Sequence, residues 1–242
     1  MAMAQNPHLA SIVAPVGALR VGAYPGSPIS MIVDKSGERR GLTVDLGREL
    51  ARRLGVPFEL VPFQRQAEVV EAAKAGVIDF LITNASPARA RDLDFMPTLI
   101  SLEVGYMVPV GSPIVVIGDV DKPEITIGVT KGSTSDSKLP QIVRFARIVP
   151  VANVIEGAAL LKSGGLQVFA TNKPILFEMA DGLPGSRVLD GRWAEEHVAI
   201  AIPKGREAAR TALSTFIEDV KASGLLTKAI ERAGLRGALP AP

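Results

Sequence analysis

The stretch Leu19-Arg20-Val21-Gly22-Ala23-Tyr24-Pro25-Gly26-Ser27 returns in the second half of the chain as Ile125-Thr126-Ile127-Gly128-Val129-Thr130-Lys131-Gly132-Ser133. In both copies an apolar strand runs into a glycine-bearing turn, with both glycines and the serine at matching places. Working outward from the first copy, Val33 to Gly37 reads as a hairpin turn. Thr43 caps a helix in which Leu46, Leu50 and Leu54 recur every four residues until Gly55 ends it. Phe58 to Phe63 is a second strand. A helix over about 66–75 turns Val69, Val70 and Ala73 inward and closes at Gly76, and Ile78 to Ile82 is a third strand. Strand, helix, strand, helix, strand predicts a parallel sheet with helices on both faces.

The second half repeats the plan. The pattern gives a strand from Ile125 to Val129, a helix near 135–145, a short strand at 147–149, a helix at 153–162 and a strand from Leu166 to Ala170. Phe80 to Asn84 is echoed by Phe169 to Asn172, each strand running into Thr-Asn with Pro87 or Pro174 close behind. Two explanations fit the echo: the common turn chemistry of α/β units, or two similar lobes facing each other. After Ala194, a strand over Val198 to Pro203 and helices over about 206–222 and 225–234 exceed what a second lobe needs. The chain is therefore expected to cross back, near 100–104 and 193–197, forming a two-segment hinge. The expected domains are residues 1–101 plus 195–242 as lobe 1 and 102–194 as lobe 2, with residues 1–16 an N-terminal tail.

Composition narrows the function. The 242 residues can fill two cores. With 47% hydrophobic but only 5% aromatic residues, those cores are expected to be Ala, Val, Leu and Ile, as in buried parallel sheets. A net charge of +2, with acids and bases interleaved, gives no basic block for nucleic acid. Cysteine is absent, which excludes disulfides, thiolate catalysis and Cys-based metal sites. The two histidines, His8 and His197, lie far apart and no acidic cluster has ligand spacing, so neither a metal nor any other cofactor is expected. No apolar run approaches the roughly 18 residues of a membrane span. Ala2-Met3-Ala4 before Gln5 matches the small-x-small end of a cleaved signal peptide, a pattern that chance also produces.

The most informative site is Asn84-Ala85-Ser86-Pro87-Ala88-Arg89. Ser86 is a good N-cap and Pro87 suits the first helical position, so Arg89 falls in the first turn of a helix. A cation there opposes the helix dipole unless an anion binds, and a guanidinium can take a carboxylate through two parallel hydrogen bonds. Spacing alone equally allows a surface arginine paired with Asp92 or Asp94. In the second half, Lys131-Gly132-Ser133-Thr134-Ser135 follows a buried strand and precedes a helix, again offering amides and hydroxyls to an anion. The order Gly-x-x-x-x-Gly-Lys-Ser/Thr is missing, as is a Gly-x-Ser-x-Gly elbow, so neither a nucleotide loop nor a serine hydrolase is indicated.

Six segments in register carry a resemblance: Leu19 to Gly22, Gly41 to Leu46, Gly76 to Asp79, Ser86 to Arg89 with Asp94-Phe95, Gly128 to Thr134, and Ala199 to Gly205. From about residue 18 to 236 the chain resembles the family 3 extracellular solute-binding proteins, the amino-acid-type receptors of ABC importers. The resemblance implies the type II periplasmic-binding-protein fold, two α/β lobes closing on solute by a hinge. It implies that Arg89 clamps a carboxylate bordered by Asn84 and Ser86, with Ser133 and Thr134 approaching from the second lobe. The family commonly has acids where Asn172 and Tyr24 stand and ligand-sandwiching aromatics where Ser27 and Ser30 stand, and Thr43 replaces another acid. Two lost carboxylates beside Arg89 imply a net positive pocket, favouring an organic acid or otherwise anionic solute over a zwitterionic amino acid. In that pocket Asn172 would offer a neutral hydrogen bond and Lys131 or Lys173 could add charge. The ligand-binding set is thus Arg89, Asn84, Ser86, Ser133, Thr134, Asn172, Tyr24 and Ser27. The implied protein is a non-enzymatic periplasmic monomer that delivers a small carboxylate-bearing solute to ABC permease subunits. Two alternatives share the scaffold: a dehydratase acting on a cyclic carboxylate, with Glu103, Asp136 or Glu196 as general acid, and a ligand-sensing module.

Overall fold

The computed structural model describes residues 7–34 and 36–240; the Ala2-Met3-Ala4 motif and Lys35 of the hairpin turn lie outside them. Along the chain, helix α1 (Pro7–Val13) precedes strand β1 (Leu19–Ala23), the short hairpin β2 (Ile32–Val33) and β3 (Arg39–Arg40), helix α2 (Leu42–Leu54), β4 (Phe58–Pro62) and α3 (Gln66–Lys74). Then come β5 (Leu81–Asn84), the single turn α4 (Pro87–Ala90) and a long strand β6 (Leu93–Val108). The second half adds β7 (Thr126–Thr130), α5 (Thr134–Lys138), β8 (Arg147–Val151), α6 (Val154–Ser163), β9 (Val168–Asn172), α7 (Lys173–Asp181) and β10 (Arg187–Val188). Strand β11 (Ala194–Pro203), α8 (Arg210–Ala222), α9 (Leu225–Ala233) and β12 (Ala238–Pro240) complete it.

The chain forms two compact units. One holds the chain up to Ile100 together with His197–Leu235, and the other holds Ser101–Glu196 with Arg236–Leu239. Strands β6 and β11 therefore each run from one unit into the other. In addition, Arg236 bonds Asp181 through two nitrogens at 3.1 and 2.6 Å and lies over Phe177, so the last described residues group with the second unit.

In the first unit β1 and β4 are parallel, and β1 is bridged in parallel to Phe80 at the entry to β5. Strand β5 starts later than the alternation predicts. Asp79, fully buried, accepts from the Arg20 backbone at 3.1 Å, from the Arg20 guanidinium at 2.9 Å through both oxygens, and from Arg206 at 2.8 Å. Its carboxylate thus occupies the Arg20 N–H, and the ladder resumes only beyond it. Helix α2 is not capped by Thr43, whose hydroxyl instead donates to the Ile29 carbonyl at 2.8 Å. The cap is Gly41 at φ 152°, where a Cβ would stand 2.4 Å from the Ser30 carbonyl oxygen. The N-terminal tail is also partly structured: α1 buries Leu9 and Val13, and the Val13 carbonyl accepts from Arg206 at 3.2 Å.

In the second unit β7 lies between parallel neighbours β8 and β9, and β9 pairs antiparallel with β6. The echo between the halves has a packing cause. A Cβ on Gly22 would stand 2.3 Å from Ile78, and one on Gly128 would stand 2.4 Å from Leu166, so both strands need glycine where a following apolar side chain crosses them. The expected helix near 135–145 is shorter, ending in a 3-10 turn over Leu139–Gln141 that begins before Pro140. Helix α7 goes unread in the pattern although Asn172 caps it and Pro174 sits in its first turn.

Two predictions follow from these contacts. Asp79→Asn leaves two mostly buried guanidiniums, 18% and 15% exposed, facing a neutral amide. The loss should be about 3–5 kcal/mol, and the midpoint of thermal denaturation should fall on the order of 10 °C; a drop below about 2 °C would show the clasp to be dispensable. The second concerns acid. Hydrogen bonds from Arg52 and Arg53 hold the Glu49 carboxyl at about 2, against an ordinary 4.5. A depressed carboxyl stabilises fully above its unfolded value and loses that contribution as pH falls through the folded one. Glu49→Gln should therefore be less stable than the parent at neutral pH and less pH-sensitive between 4.5 and about 2, as urea titrations at stepped pH will read.

Candidate functional site

In both units the expected site residues sit where parallel strands end at their carboxyl edge, the usual position of ligand sites in α/β sheets. In the first unit, the β1 turn carries Tyr24 and Ser27, and the end of β5 carries Asn84, Ser86 and Arg89. In the second, the β7 turn carries Ser133 and Thr134, and the end of β9 carries Asn172.

Ser86 adopts the extended cap conformation (φ −86°, ψ 151°) and its Oγ accepts from the Arg89 N–H at 3.4 Å, with Pro87 opening the turn. The helix lasts one turn because Leu93 already begins β6. Within that turn the Arg89 side chain folds back on the strand that precedes it. Its Nη1 donates to Thr83 Oγ1 at 2.7 Å and to the Asn84 carbonyl at 3.4 Å. The same Thr83 oxygen accepts from Gln66 Nε2 at 2.9 Å. Thr83 and Gln66 thus orient the guanidinium, a role that spacing in the sequence does not signal. The acids considered as partners for Arg89 are engaged elsewhere: Asp92 pairs with Lys74 at 2.9 Å and Asp94 with Lys204 at 2.8 Å.

The β1 turn is tighter than the sequence suggests. Tyr24 packs with Val69, Val70 and Leu81, and its backbone N–H donates to Ser30 Oγ at 2.8 Å. Ser27 is buried too, and its hydroxyl has no hydrogen-bond partner among the described residues.

In the second unit, much of the amide cradle expected at residues 131–135 is spent by the chain itself. Lys131 N–H donates to Val151 O at 2.9 Å, Gly132 N–H to Asp136 Oδ2 at 2.7 Å and Ser133 N–H to Thr130 O at 3.0 Å. Ser133 Oγ caps α5 by accepting from Asp136 N–H at 3.1 Å, while Thr134 and Ser135 are buried in its first turn. Asn172 uses both ends of its amide: Oδ1 accepts from the Ile175 N–H at 3.3 Å, and Nδ2 donates to Glu196 Oε2 at 3.2 Å. A buried carboxylate from β11 thus stands beside position 172, where the resemblance leads one to expect an acid. Next to it Lys173 is ion-paired with Glu103, which also meets Arg192 at 3.3 Å. The Lys173 bond holds the Glu103 carboxyl below its ordinary range. No group of metal-ligating side chains is found among the described residues, and no described helix is long and apolar enough to cross a membrane.

Two α/β units joined by two long strands, with polar caps at the carboxyl ends of their parallel strands, define the type II periplasmic-binding-protein class. The sequence model of the bacterial extracellular solute-binding proteins, family 3, matches residues 19–234, and the chain belongs to that family. It is 23% identical over 193 residues to the glutamine-binding protein of a Bacillus subtilis ABC transporter, covering 78% of this chain and 70% of the relative. Among solved structures, a Neisseria gonorrhoeae solute receptor for L-cysteine superposes with a TM-score of 0.83 at 26% identity, covering 93% of this chain and 92% of the other. An ancestral amino-acid-binding protein, a precursor of cyclohexadienyl dehydratase, gives 0.81 at 25% identity, covering 93% and 98%.

Proposed function

We propose that this protein is the periplasmic receptor of an ABC import system, capturing a small carboxylate-bearing solute and delivering it as a monomer to membrane permease subunits. Arg89 grips the carboxylate, Asn84 and Ser86 border it, Ser133, Thr134 and Asn172 approach from the second unit, and Tyr24 and Ser27 shape the wall. The segments of β6 and β11 that link the units act as the hinge on which they close. The observation that carries this reading is the Arg89 guanidinium, which lies at the end of β5 with Nη1 bonded to Thr83 Oγ1 at 2.7 Å. A preoriented guanidinium loses little side-chain freedom when it takes a carboxylate, and two parallel bonds add geometric specificity.

Binding without catalysis is supported by the state of the candidate acids. Of the three candidate acids, Glu103 is tied up with Lys173 and Asp136 with the Gly132 amide, while Glu196 accepts a hydrogen bond from the Asn172 amide. The Bacillus subtilis relative is a glutamine-binding protein and the Neisseria gonorrhoeae relative a receptor for L-cysteine, which makes amino acids the first class to screen.

Calorimetry against amino acids and small organic acids tests the proposal. Arg89→Ala should weaken the best solute by roughly 100-fold or more, the cost of removing one partner of a buried charged pair. Arg89→Lys should restore little of it, and Thr83→Val should cost about 5- to 10-fold by releasing the guanidinium. Unchanged affinity in Arg89→Ala would end the reading.

A further inference from the structure

We infer that the second unit carries, at the amino-terminal end of its parallel strands, a docking surface for an anionic lipid bilayer. The surface is separate from the candidate solute site. Val115 and Val116 precede β7, and Ile142 and Phe145 precede β8, whereas Ser133 and Asn172 stand at the opposite, carboxyl ends of the parallel strands. Val115, Val116, Ile142 and Phe145 are all at least 50% exposed. Single exposed apolar residues are ordinary, but a held group of them marks a surface meant to be covered. Two acids on one short turn do the holding. Asp119 accepts from Lys122 at 3.2 Å and from the Val116 and Val115 amides, which together keep its carboxyl below the ordinary range. Asp121 takes the Arg144 N–H at 2.9 Å through one oxygen, and those of Phe145 and Ala146 at 2.7 and 2.9 Å through the other. The 3-10 turn Ile117–Asp119 lies between the two loops. At roughly 2 Å per residue it keeps Val116 and Asp121 within a distance on the order of 10 Å.

The loops are also anchored from below. Ile114, Val120 and Leu139 are buried in the core of this unit, with Ile117, Val143 and Ala146 packed against it, so the exposed side chains ride on ordered backbone and lose little freedom when covered. Charge decides what covers them. Asp119 and Asp121 spend their oxygens on the loops' own amides and on Lys122, while the cations are left to solvent. Lys138, Arg144 and Arg147 are exposed and form no ion pair among the described residues, against one exposed acid, Glu124, on residues 115–124 and 138–147. In sequence a cation stands on either side of Phe145, at 144 and 147. A second copy of the chain is a poor occupant, because a two-fold contact would set these cations against themselves. An anionic bilayer meets both demands: its phosphates take the guanidiniums, and the boundary below the headgroups takes Phe145 and the aliphatic side chains.

Co-sedimentation of the whole protein with lipid vesicles is the test. Partitioning onto phosphatidylcholine vesicles that contain about 30% phosphatidylglycerol should be at least about 10-fold stronger than onto phosphatidylcholine alone, and should weaken as salt is added. Phe145→Ser should lower it by about 10-fold, and Arg144→Gln and Arg147→Gln by about 5-fold each. Val77→Ser removes a valine of the first unit that is 48% exposed and should change nothing, which separates a defined surface from general stickiness. All four positions are exposed, so melting curves of the variants should match the parent. The inference is overturned by failure to sediment with the anionic vesicles, by undiminished partitioning in a folded Phe145→Ser or Arg144→Gln protein, or by an equal loss in Val77→Ser. Sedimentation velocity supplies the remaining check: a dimer that Phe145→Ser dissolves would give the surface to a second copy of the chain and overturn the inference as well.

Discussion

A fully buried carboxylate, that of Asp79, sets the register on which the first unit depends. It holds the backbone and guanidinium of Arg20 on β1 and the guanidinium of Arg206 beyond β11, so three separate segments meet at one charge. Burial of that charge is tolerable only because hydrogen bonds to both oxygens and two cations compensate it. The consequence reaches the site. With Asp79 fixed, the Gly22 N–H bonds the Phe80 carbonyl at 3.0 Å and β5 enters the sheet in a single register, pairing Asn84 with Val198. A slip by one residue would turn Thr83 to the opposite face and take the Arg89 guanidinium with it.

The second unit reaches a comparable arrangement without an ionic clasp. Phe169 on β9 is fully buried against Gly157 of α6 and Gly128 of β7, where a Cβ would stand 2.3 and 2.9 Å from its ring. An aromatic wedge between two glycines fixes β9 by packing alone, since either a smaller side chain or a larger neighbour disturbs a close-packed core. The strand then delivers Asn172 to the cap of α7, as β5 delivers Ser86 to the cap of α4. Different core chemistry thus ends in the same local device: a polar cap at the carboxyl end of a parallel strand.

Most of the first unit is legible in the sequence because its helices end on glycine and its strands are short apolar runs. Strand β1 matches residue for residue, and α2 runs to the left-handed Gly55. What escapes has identifiable causes. Strand β6 is buried along most of both faces and contains Pro97, so it shows neither alternation nor a clean apolar run. Helix α7 is weakly amphipathic and short, leaving its Asn-Lys-Pro start as the only signal. Thr43 reads as a cap because threonine commonly caps helices, but the close approach of the Ser30 carbonyl selects Gly41. In the site, Ser86 and Arg89 are legible as a cap and a first-turn residue. Thr83, Gln66 and Glu196 are not, since their roles come from neighbours 6, 17 and 24 residues away that only the folded sheet brings close.

That distinction bears on how charge is counted at a binding site. Tallying acids by sequence position leaves the end of β9 without one, because position 172 is an asparagine; tallying by neighbour supplies one, because β11 brings the Glu196 carboxylate to the same amide. The same logic separates two of the cations the sequence offers for a carboxylate. Lys131 is exposed, on a turn whose own amide is already bonded to Val151, and would give up most of its rotamer freedom on binding. Arg89 is half-buried and already bonded through Nη1, so part of that freedom is surrendered in folding and its remaining nitrogens keep a fixed plane. A side chain that the strand has already ordered therefore has less freedom left to lose than one exposed on a turn.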